Sequence, residues 1–130
     1  RIDQRSLPLD SRYSRTQSGA GVTVYVVDTG VRATHAELTG RVASGFTTIS
    51  DGQGTNDCNG HGTHVAGIIT ANGHDPKAIS VAPGARFWMA KVCNAGGSCA
   101  TSDIAAAIQY LVDNKATLFG EQTAFFSMKN

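Results

Sequence analysis

The sequence predicts an α/β fold in which a parallel sheet is flanked by helices. Two short apolar runs, at residues 22–28 and 85–92, alternate with two helical patterns, at residues 61–71 and 103–115. Strands that alternate with helices of this length are typical of parallel sheets. The chain has 130 residues, of which 41% are hydrophobic and 16% charged, so its size and composition indicate one globular folding unit.

The first predicted strand ends at a carboxylate. A β-branched run at residues 22–27 is followed directly by Asp28, and Thr29-Gly30 then breaks the strand. In a parallel sheet, functional groups collect beyond the carboxyl ends of the strands. A carboxylate buried there needs a partner, because its desolvation is costly. A functional Asp28 and an Asp28 that only accepts hydrogen bonds from the following turn are both consistent with this pattern.

The first predicted helix begins at a histidine. Asn59 or a neighbouring residue is expected to cap this helix at His61, and Gly60 and Gly62 leave the His61 ring unshielded at the mouth of a groove. His64, three residues later, is expected to face the core as a hydrogen-bonded structural histidine. The two histidines therefore receive different interpretations.

The second strand and second helix follow a Pro-Gly turn at residues 83–84. The strand at residues 85–92 ends near Cys93, and Thr101 or Ser102 is expected to cap the helix that follows. An apolar stripe suited to packing on the sheet is formed by Ile104, Ile108, Leu111 and Val112. Residues 117–130 fit the pattern poorly, because a Gly-Glu-Gln segment stands where another buried strand is expected.

Composition excludes several classes of function. Lys and Arg number 11 against 10 Asp and Glu, so no basic field is available for nucleic acid. No apolar run approaches the roughly 20 residues that span a bilayer, which argues against a membrane protein. The three cysteines, Cys58, Cys93 and Cys99, permit three alternative single disulfides, and such cysteines favour an exported protein.

Three segments of the chain resemble the subtilase family of serine peptidases. They are Val-Val-Asp-Thr-Gly at residues 26–30, Asn-Gly-His-Gly-Thr-His-Val-Ala-Gly at residues 59–67, and Val-Ala-Pro-Gly-Ala at residues 81–85. The opening segment, residues 3–10, resembles the secreted proteinase K-like branch that includes aqualysin. This resemblance implies an incomplete subtilisin-like fold over residues 1–116, with residues 117–130 as a divergent tail.

The resemblance also implies an activity, that of a secreted serine endopeptidase that acts on proteins or peptides. Asp28 would orient the imidazole of His61, and His61 would act as the general base. The family's nucleophilic Ser lies in a Gly-Thr-Ser-Met segment, which this sequence does not contain. Ser127 is the only Ser followed by Met, but Phe126 precedes it. We therefore expect the chain to be inactive by itself.

Two further sites are implied by the resemblance. Gly96, Gly97 and Ser98 match a family segment that pairs its backbone with an extended substrate, although an ordinary glycine-rich loop has the same composition. Asp3, Gln4 and Asp10 resemble part of a structural calcium site, whereas the alternative is a solvated polar loop. The expected chemistry itself requires no cofactor.

Two other functions are compatible with the sequence. One is a non-catalytic relative that keeps the fold and binds peptides or a partner. The other is a small zinc-binding module, in which Cys58, His61 and His64 would be joined by Cys93 or Cys99. The oligomeric state is not predicted.

Overall fold

A computed structural model describes residues 3–114 and 123–127 of the chain. The strands are β1 (Thr23–Asp28), β2 (Val42–Thr47), β3 (Arg86–Lys91) and β4 (Thr123–Ser127), and the helices are α1 (His61–Thr70) and α2 (Thr101–Asp113). A short 3₁₀ helix spans Ala36–Leu38. The strands form one parallel sheet in the order β2-β3-β1-β4, which confirms the predicted α/β class.

The two central strands are covered on both faces. Successive side chains of β1 and β3 point to opposite faces, so each strand supplies two separate core clusters. The first cluster lies under α1 and includes Val24, Val26, Phe87, Met89, Val65 and Ile69. The second lies under α2 and includes Tyr25, Val27, Trp88, Ala90, Ala107 and Leu111. Asp28 thus ends a strand that is buried from both sides.

β2 is a strand that the sequence pattern does not predict. Its run from Val42 to Thr47 contains Gly45, a residue that weakens strand signals. The glycine is needed for packing, because a Cβ at this position would lie 2.5 Å from Thr55 Cγ2 and 3.0 Å from the Met89 carbonyl oxygen. The close approach of a neighbouring segment therefore explains why the strand has a poor sequence pattern.

The start of α2 differs from the prediction. The helix begins at Thr101, and Ala100 occupies the N-cap position without a side-chain hydrogen bond. Capping by Thr101 or Ser102 is therefore wrong, because both residues already lie inside the first turn. The predicted end of this helix, residue 115, lies outside the described residues.

The buried face of α2 also differs from the predicted stripe. Ala107 and Leu111 are fully buried, and Ile104 is packed beside them. Ile108 and Val112, which the prediction placed on the sheet, are 46% and 53% exposed. The small Ala107 side chain lets the helix approach the sheet closely. Ala107, and not Ile108, is therefore the residue that contacts the sheet between Ile104 and Leu111.

A strand is present within the segment that the sequence pattern leaves without an element. β4 pairs in parallel with β1, from Thr23 opposite Thr123 to Val27 opposite Ser127. The strand expected after the second helix therefore exists, and the expectation that residues 117–130 lack one is wrong for residues 123–127. Residues 117–122 and 128–130 lie outside the described part, and the boundary at residue 116 stays a prediction.

Candidate active site

Asp28 lies at the carboxyl end of β1 and is 1% exposed. Its Oδ1 accepts a hydrogen bond from the backbone N–H of Thr29 at 2.7 Å. His61 Nδ1 lies 2.8 Å from the same oxygen and 2.9 Å from Oδ2. A carboxylate removed from water is stabilised by such donors, so the His61 ring compensates part of the desolvation of Asp28.

His61 is the first residue of α1, and its side chain is 30% exposed. An ionised Asp28 can only accept hydrogen bonds, so Nδ1 of His61 carries the proton that lies between them. In the neutral ring, Nε2 then has a free lone pair. Nε2 hydrogen-bonds none of the described residues, so it is available to take a proton from a group placed beside it.

A glycine allows the helix to come this close to the strand. The backbone of Gly62 packs against the Gly30 carbonyl oxygen so tightly that a Cβ at residue 62 would clash with it. The same Cβ would lie 3.1 Å from Asp28 Oδ1. Gly62 is therefore required by space, since a side chain there would separate the helix start from Asp28.

Asp57 is a residue near the site that the sequence interpretation missed. One of its oxygens accepts hydrogen bonds from the backbone N–H groups of Asn59 and Gly60 and from the Thr29 hydroxyl, at 2.8 to 3.0 Å. The other accepts from the backbone N–H and the hydroxyl of Thr63, at 2.9 and 2.6 Å. An Asp just before a predicted helix start is a capping signal, and that signal could have identified it.

The environment of Asp57 keeps its carboxylate ionised. Burial raises the pKa of Asp57, but the hydrogen bonds from Gly60, Thr63 and Asn59 outweigh burial and lower it to about 2. The N-terminus of α1 also favours a negative charge at this place. Asn59 Oδ1 accepts a 3.2 Å hydrogen bond from the His61 N–H, so the predicted cap is shared between Asn59 and Asp57, while Gly60 occupies the N-cap position.

A buried lysine anchors the loop that leads to His61. Lys91, the last residue of β3, is fully buried, and its Nζ donates to Asp51 Oδ2 at 2.6 Å and to the Asn56 carbonyl oxygen at 2.8 Å. The hydrogen bond from Lys91 lowers the pKa of Asp51. The loop before α1 is therefore tied to the same end of the sheet as Asp28.

The structure places the predicted substrate-binding loop beside the segment that precedes His61. The Asn59 side chain donates to the Ala95 carbonyl oxygen at 3.0 Å. The backbone N–H groups of Gly96, Gly97 and Ser98 all donate to Asn94, at 2.9 to 3.0 Å. These donors are already used within the loop, so a substrate strand would have to use carbonyl oxygens. The role of the loop stays a prediction.

The cysteines form one of the three possible pairs. Cys93 and Cys99 are joined by a disulfide that closes the loop containing residues 94–98, and Cys58 is an exposed free thiol. Both cysteines that could have supplied the fourth ligand of the hypothetical zinc site are thus oxidised. The described residues contain no group of three or more His, Cys, Asp or Glu that could hold a metal ion.

His64 does not lie in the core. It is exposed and borders an open groove of about 450 Å³ beside α1, together with His35, Thr63 and Ile68. The prediction of a buried histidine is therefore wrong. His64 falls on the outer side of the helix, because Val65 and Ala66 are the residues that turn toward the sheet.

Asp3, Gln4 and Asp10 lie together in the opening loop. Asp10 N–H donates to Gln4 Oε1 at 3.1 Å, Asp3 Oδ2 accepts from the Ser14 N–H, and Asp10 Oδ1 accepts from the Arg12 N–H. Ca²⁺ takes six to eight oxygen ligands. Together these three side chains carry five oxygens, so they do not complete a calcium site by themselves. The calcium site stays a prediction.

The model of the subtilase family matches residues 19–121. The chain belongs to the subtilase family. The match includes β1 with Asp28, α1 with His61, and the loop at residues 96–98.

The curated relatives that the chain resembles include two serine peptidases. The chain is 45% identical over 114 residues to "Extracellular serine proteinase" of Thermus sp. (strain Rt41A), a match that covers 88% of the chain and 27% of the relative. It is 42% identical over 114 residues to "Alkaline serine exoprotease A" of Vibrio alginolyticus, with coverage of 88% and 20%. The chain thus spans about a quarter of the length of these relatives.

Solved structures confirm the fold. A cold adapted subtilisin-like serine proteinase matches with a TM-score of 0.78 and 40% identity, covering 88% of this chain and 40% of that chain. Sphericase matches with a TM-score of 0.72 and 38% identity, covering 93% and 42%. The parallel sheet with its two helices is therefore a part of the subtilisin fold.

Proposed function

We propose that this subtilase chain supplies two members of the catalytic triad of a serine endopeptidase, the orienting aspartate Asp28 and the general base His61. The observation that supports this proposal is the hydrogen bond between His61 Nδ1 and Asp28 Oδ1, 2.8 Å long, with the His61 ring partly exposed. A buried carboxylate that orients a partly exposed histidine is the arrangement that activates a hydroxyl nucleophile. Asp28 holds the His61 ring in the tautomer with its proton on Nδ1, so that Nε2 accepts the proton of the nucleophilic hydroxyl.

The chemistry requires a nucleophilic serine, which lies in none of the three segments that resemble the family motifs. His61 Nε2 takes the proton of that Ser as its oxygen attacks the peptide carbonyl carbon, and the imidazolium gives the proton to the leaving amine. The Asp28 carboxylate stabilises the imidazolium beside it. The C–N bond breaks and the acyl group stays on the Ser oxygen as an ester. In the second half, His61 takes a proton from water as its oxygen attacks the ester carbon, and gives that proton to the Ser oxygen as the ester bond breaks.

The sequence has no Gly-Thr-Ser-Met segment, in which the family's nucleophilic Ser lies. Ser127 lies in β4, its Cα paired with that of Val27, so it does not open a helix as the family Ser does. We therefore expect the 130-residue chain alone to hydrolyse no peptide. We also propose that the protein is exported and acts on protein substrates, in line with the relatives' names and the Cys93–Cys99 disulfide.

A chimera tests the proposal. Residues 3–114 would replace the matching segment of the Thermus sp. proteinase, which then supplies the rest of the catalytic domain. We expect the chimera to hydrolyse a peptide p-nitroanilide, and His61→Ala to lower kcat by about 10⁶-fold, the scale known for subtilisin itself. Asp28→Asn should lower kcat by about 10⁴-fold, because the wrong tautomer then predominates.

The control for the chimera is His64→Ala. His64 lies on the same helix, is exposed and makes no hydrogen bond through its ring to the described residues. We expect this variant to keep kcat within about twofold. A folded chimera without activity, or equal losses for His61→Ala and His64→Ala, would contradict the proposal and favour a non-catalytic relative.

A further inference from the structure

A second connection joins the strand and the helix one residue beyond Asp28 and His61. Thr29 follows Asp28, and Gly62 follows His61. The Gly62 backbone N–H donates to Thr29 Oγ1 at 2.9 Å, and this bond is buried. Thr29 Oγ1 in turn donates to Asp57 Oδ1 at 2.9 Å. The chain therefore contains two parallel links between β1 and α1, one of side chains and one that uses the helix backbone.

The Asp57 carboxylate determines the direction of this second link. The Thr29 hydroxyl has one proton to donate and two lone pairs, and the Gly62 N–H, which can only donate, needs one of these lone pairs. An ionised carboxylate has no proton and only accepts, so Thr29 must donate to Asp57. The Thr29 lone pairs are then left to receive the Gly62 N–H. An uncharged amide at residue 57 could present its N–H₂ group to Thr29 and remove this constraint.

Asp57 also holds the helix side of the junction. It receives the N–H groups of Asn59, Gly60 and Thr63, which lie on both sides of His61. These are backbone donors at a helix start, which otherwise lack partners. One carboxylate thus contacts the residue after Asp28 and the turn that carries His61.

We infer that Asp57 is a positioning residue for His61. It accepts the Thr29 hydroxyl proton, which turns an Oγ1 lone pair toward the Gly62 N–H and so fixes the start of α1 against the end of β1. Asp57 touches neither the His61 ring nor a reacting atom in this arrangement. Its contribution is to keep the Asp28–His61 hydrogen bond short while the helix start stays in register. The inference rests on the proposed function for its catalytic meaning, but the geometric effect is measurable without catalysis.

The experiment uses the 130-residue chain and NMR of the His61 Hδ1 proton. Asp28→Asn identifies this resonance, because it replaces the carboxylate acceptor with an amide that favours the other tautomer of the ring. We expect Asp57→Asn and Thr29→Val to abolish the resonance or to speed its exchange with water by about tenfold, the scale of one lost charge-assisted hydrogen bond. Thr29→Ser keeps the hydroxyl and should retain the resonance.

Glu37→Gln is the matched control. Glu37 is also a buried carboxylate that gathers backbone N–H groups, here from Gly73, His74 and Asp75, but it holds a different loop. We expect this variant to lower Tm and to leave Hδ1 exchange within about twofold of the unaltered chain. If Asp57→Asn does not fold, the Thr29→Val and Thr29→Ser pair decides.

Several outcomes would overturn the inference. They are wild-type exchange in both Asp57→Asn and Thr29→Val, equal loss in Glu37→Gln, loss in Thr29→Ser, or no Hδ1 resonance in the unaltered chain. In the chimera, Asp57→Asn and Thr29→Val should lower kcat with KM within about twofold, whereas Thr29→Ser and Glu37→Gln should not. If the resonance responds as expected in the chain while the chimera is inactive, the positioning role stands and the peptidase proposal fails. If the chimera is active while the resonance does not respond, the peptidase proposal stands and the positioning role of Asp57 fails.

Discussion

The two faces of the sheet hold their helices in different ways. On one face, the first turn of α1 is joined to β1 by directional hydrogen bonds, and the Gly62 backbone fits against the Gly30 carbonyl oxygen. On the other face, α2 packs through Leu111 and Ala107 and through stacked rings. These rings belong to Phe46, Trp88 and Tyr110, with centroids 4.4 to 6.4 Å apart.

This difference indicates where the fold requires precision. Nonpolar packing tolerates small shifts of a helix, because dispersion and hydrophobic contacts have little directionality. A histidine that must share a proton with a buried carboxylate tolerates much less, since a hydrogen bond weakens steeply with distance and angle. We therefore expect substitutions under α1 to alter the Asp28–His61 pair, and those under α2 to alter stability alone.

Gly62→Ala should have the largest effect. The added Cβ collides with the Gly30 carbonyl oxygen, which is backbone and cannot move away without shifting the strand end. We expect the free energy of unfolding to fall by about 3 kcal/mol and the His61 Hδ1 resonance to disappear. Urea denaturation and NMR of the same sample measure the two effects.

Gly67→Ala, on the same helix, is the control for Gly62→Ala. A Cβ at residue 67 meets nothing within 4 Å. Alanine is the better helix former, so this variant should raise the free energy of unfolding by about 0.5–1 kcal/mol and keep the resonance. Equal destabilisation by the two substitutions would show that helix propensity, and not the contact with Gly30, governs residue 62.

Local patterns were sufficient to predict the elements that carry the Asp28–His61 pair. The β-branched run of β1 ends at Asp28, and the helical pattern of α1 begins at His61. The fold class followed from the alternation of strands and helices. The distance between the Asp28 and His61 side chains could not be predicted in this way. It depends on how α1 packs on the sheet, and no single segment of the sequence determines that packing.

Other features could not be predicted because they depend on contacts between distant segments. The role of Asp57 depends on Thr29, 28 residues earlier in the chain. The buried face of α2 depends on Ala107, a residue too small to stand out in an apolar pattern. Cysteine spacing left three disulfides open, and only the turn at residues 94–98 shows how Cys93 and Cys99 meet.

Leu111→Ala tests the α2 side of the comparison. Leu111 is fully buried in the cluster with Trp88 and Ala107. Its truncation should lower the free energy of unfolding by about 2–3 kcal/mol, while the His61 Hδ1 resonance persists in the folded protein. Val112→Ala, one residue on and 53% exposed, should change stability by less than about 0.5 kcal/mol. Loss of the resonance in Leu111→Ala would mean that the two faces are coupled.

Acid should weaken the α1 side through Asp57, and this is the smallest of the expected effects. The pKa of Asp57 is about 2 in the folded chain against an ordinary value of 3.8, so its charge stabilises the fold fully above pH 4, and this stabilisation is lost as the pH falls toward 2. Because Asp57 is partly solvated, we expect about 1 kcal/mol. The stability difference between wild type and Asp57→Asn should therefore shrink between pH 5 and pH 2 in urea titrations.

The pKa of Glu37 is also lowered, chiefly by its hydrogen bond from the Asp75 N–H, but this contribution is common to both proteins and cancels. The difference between wild type and Leu111→Ala should stay constant over the same range, because no charge is altered. A constant difference for Asp57→Asn as well would show that the Asp57 charge does not stabilise the junction of β1 and α1.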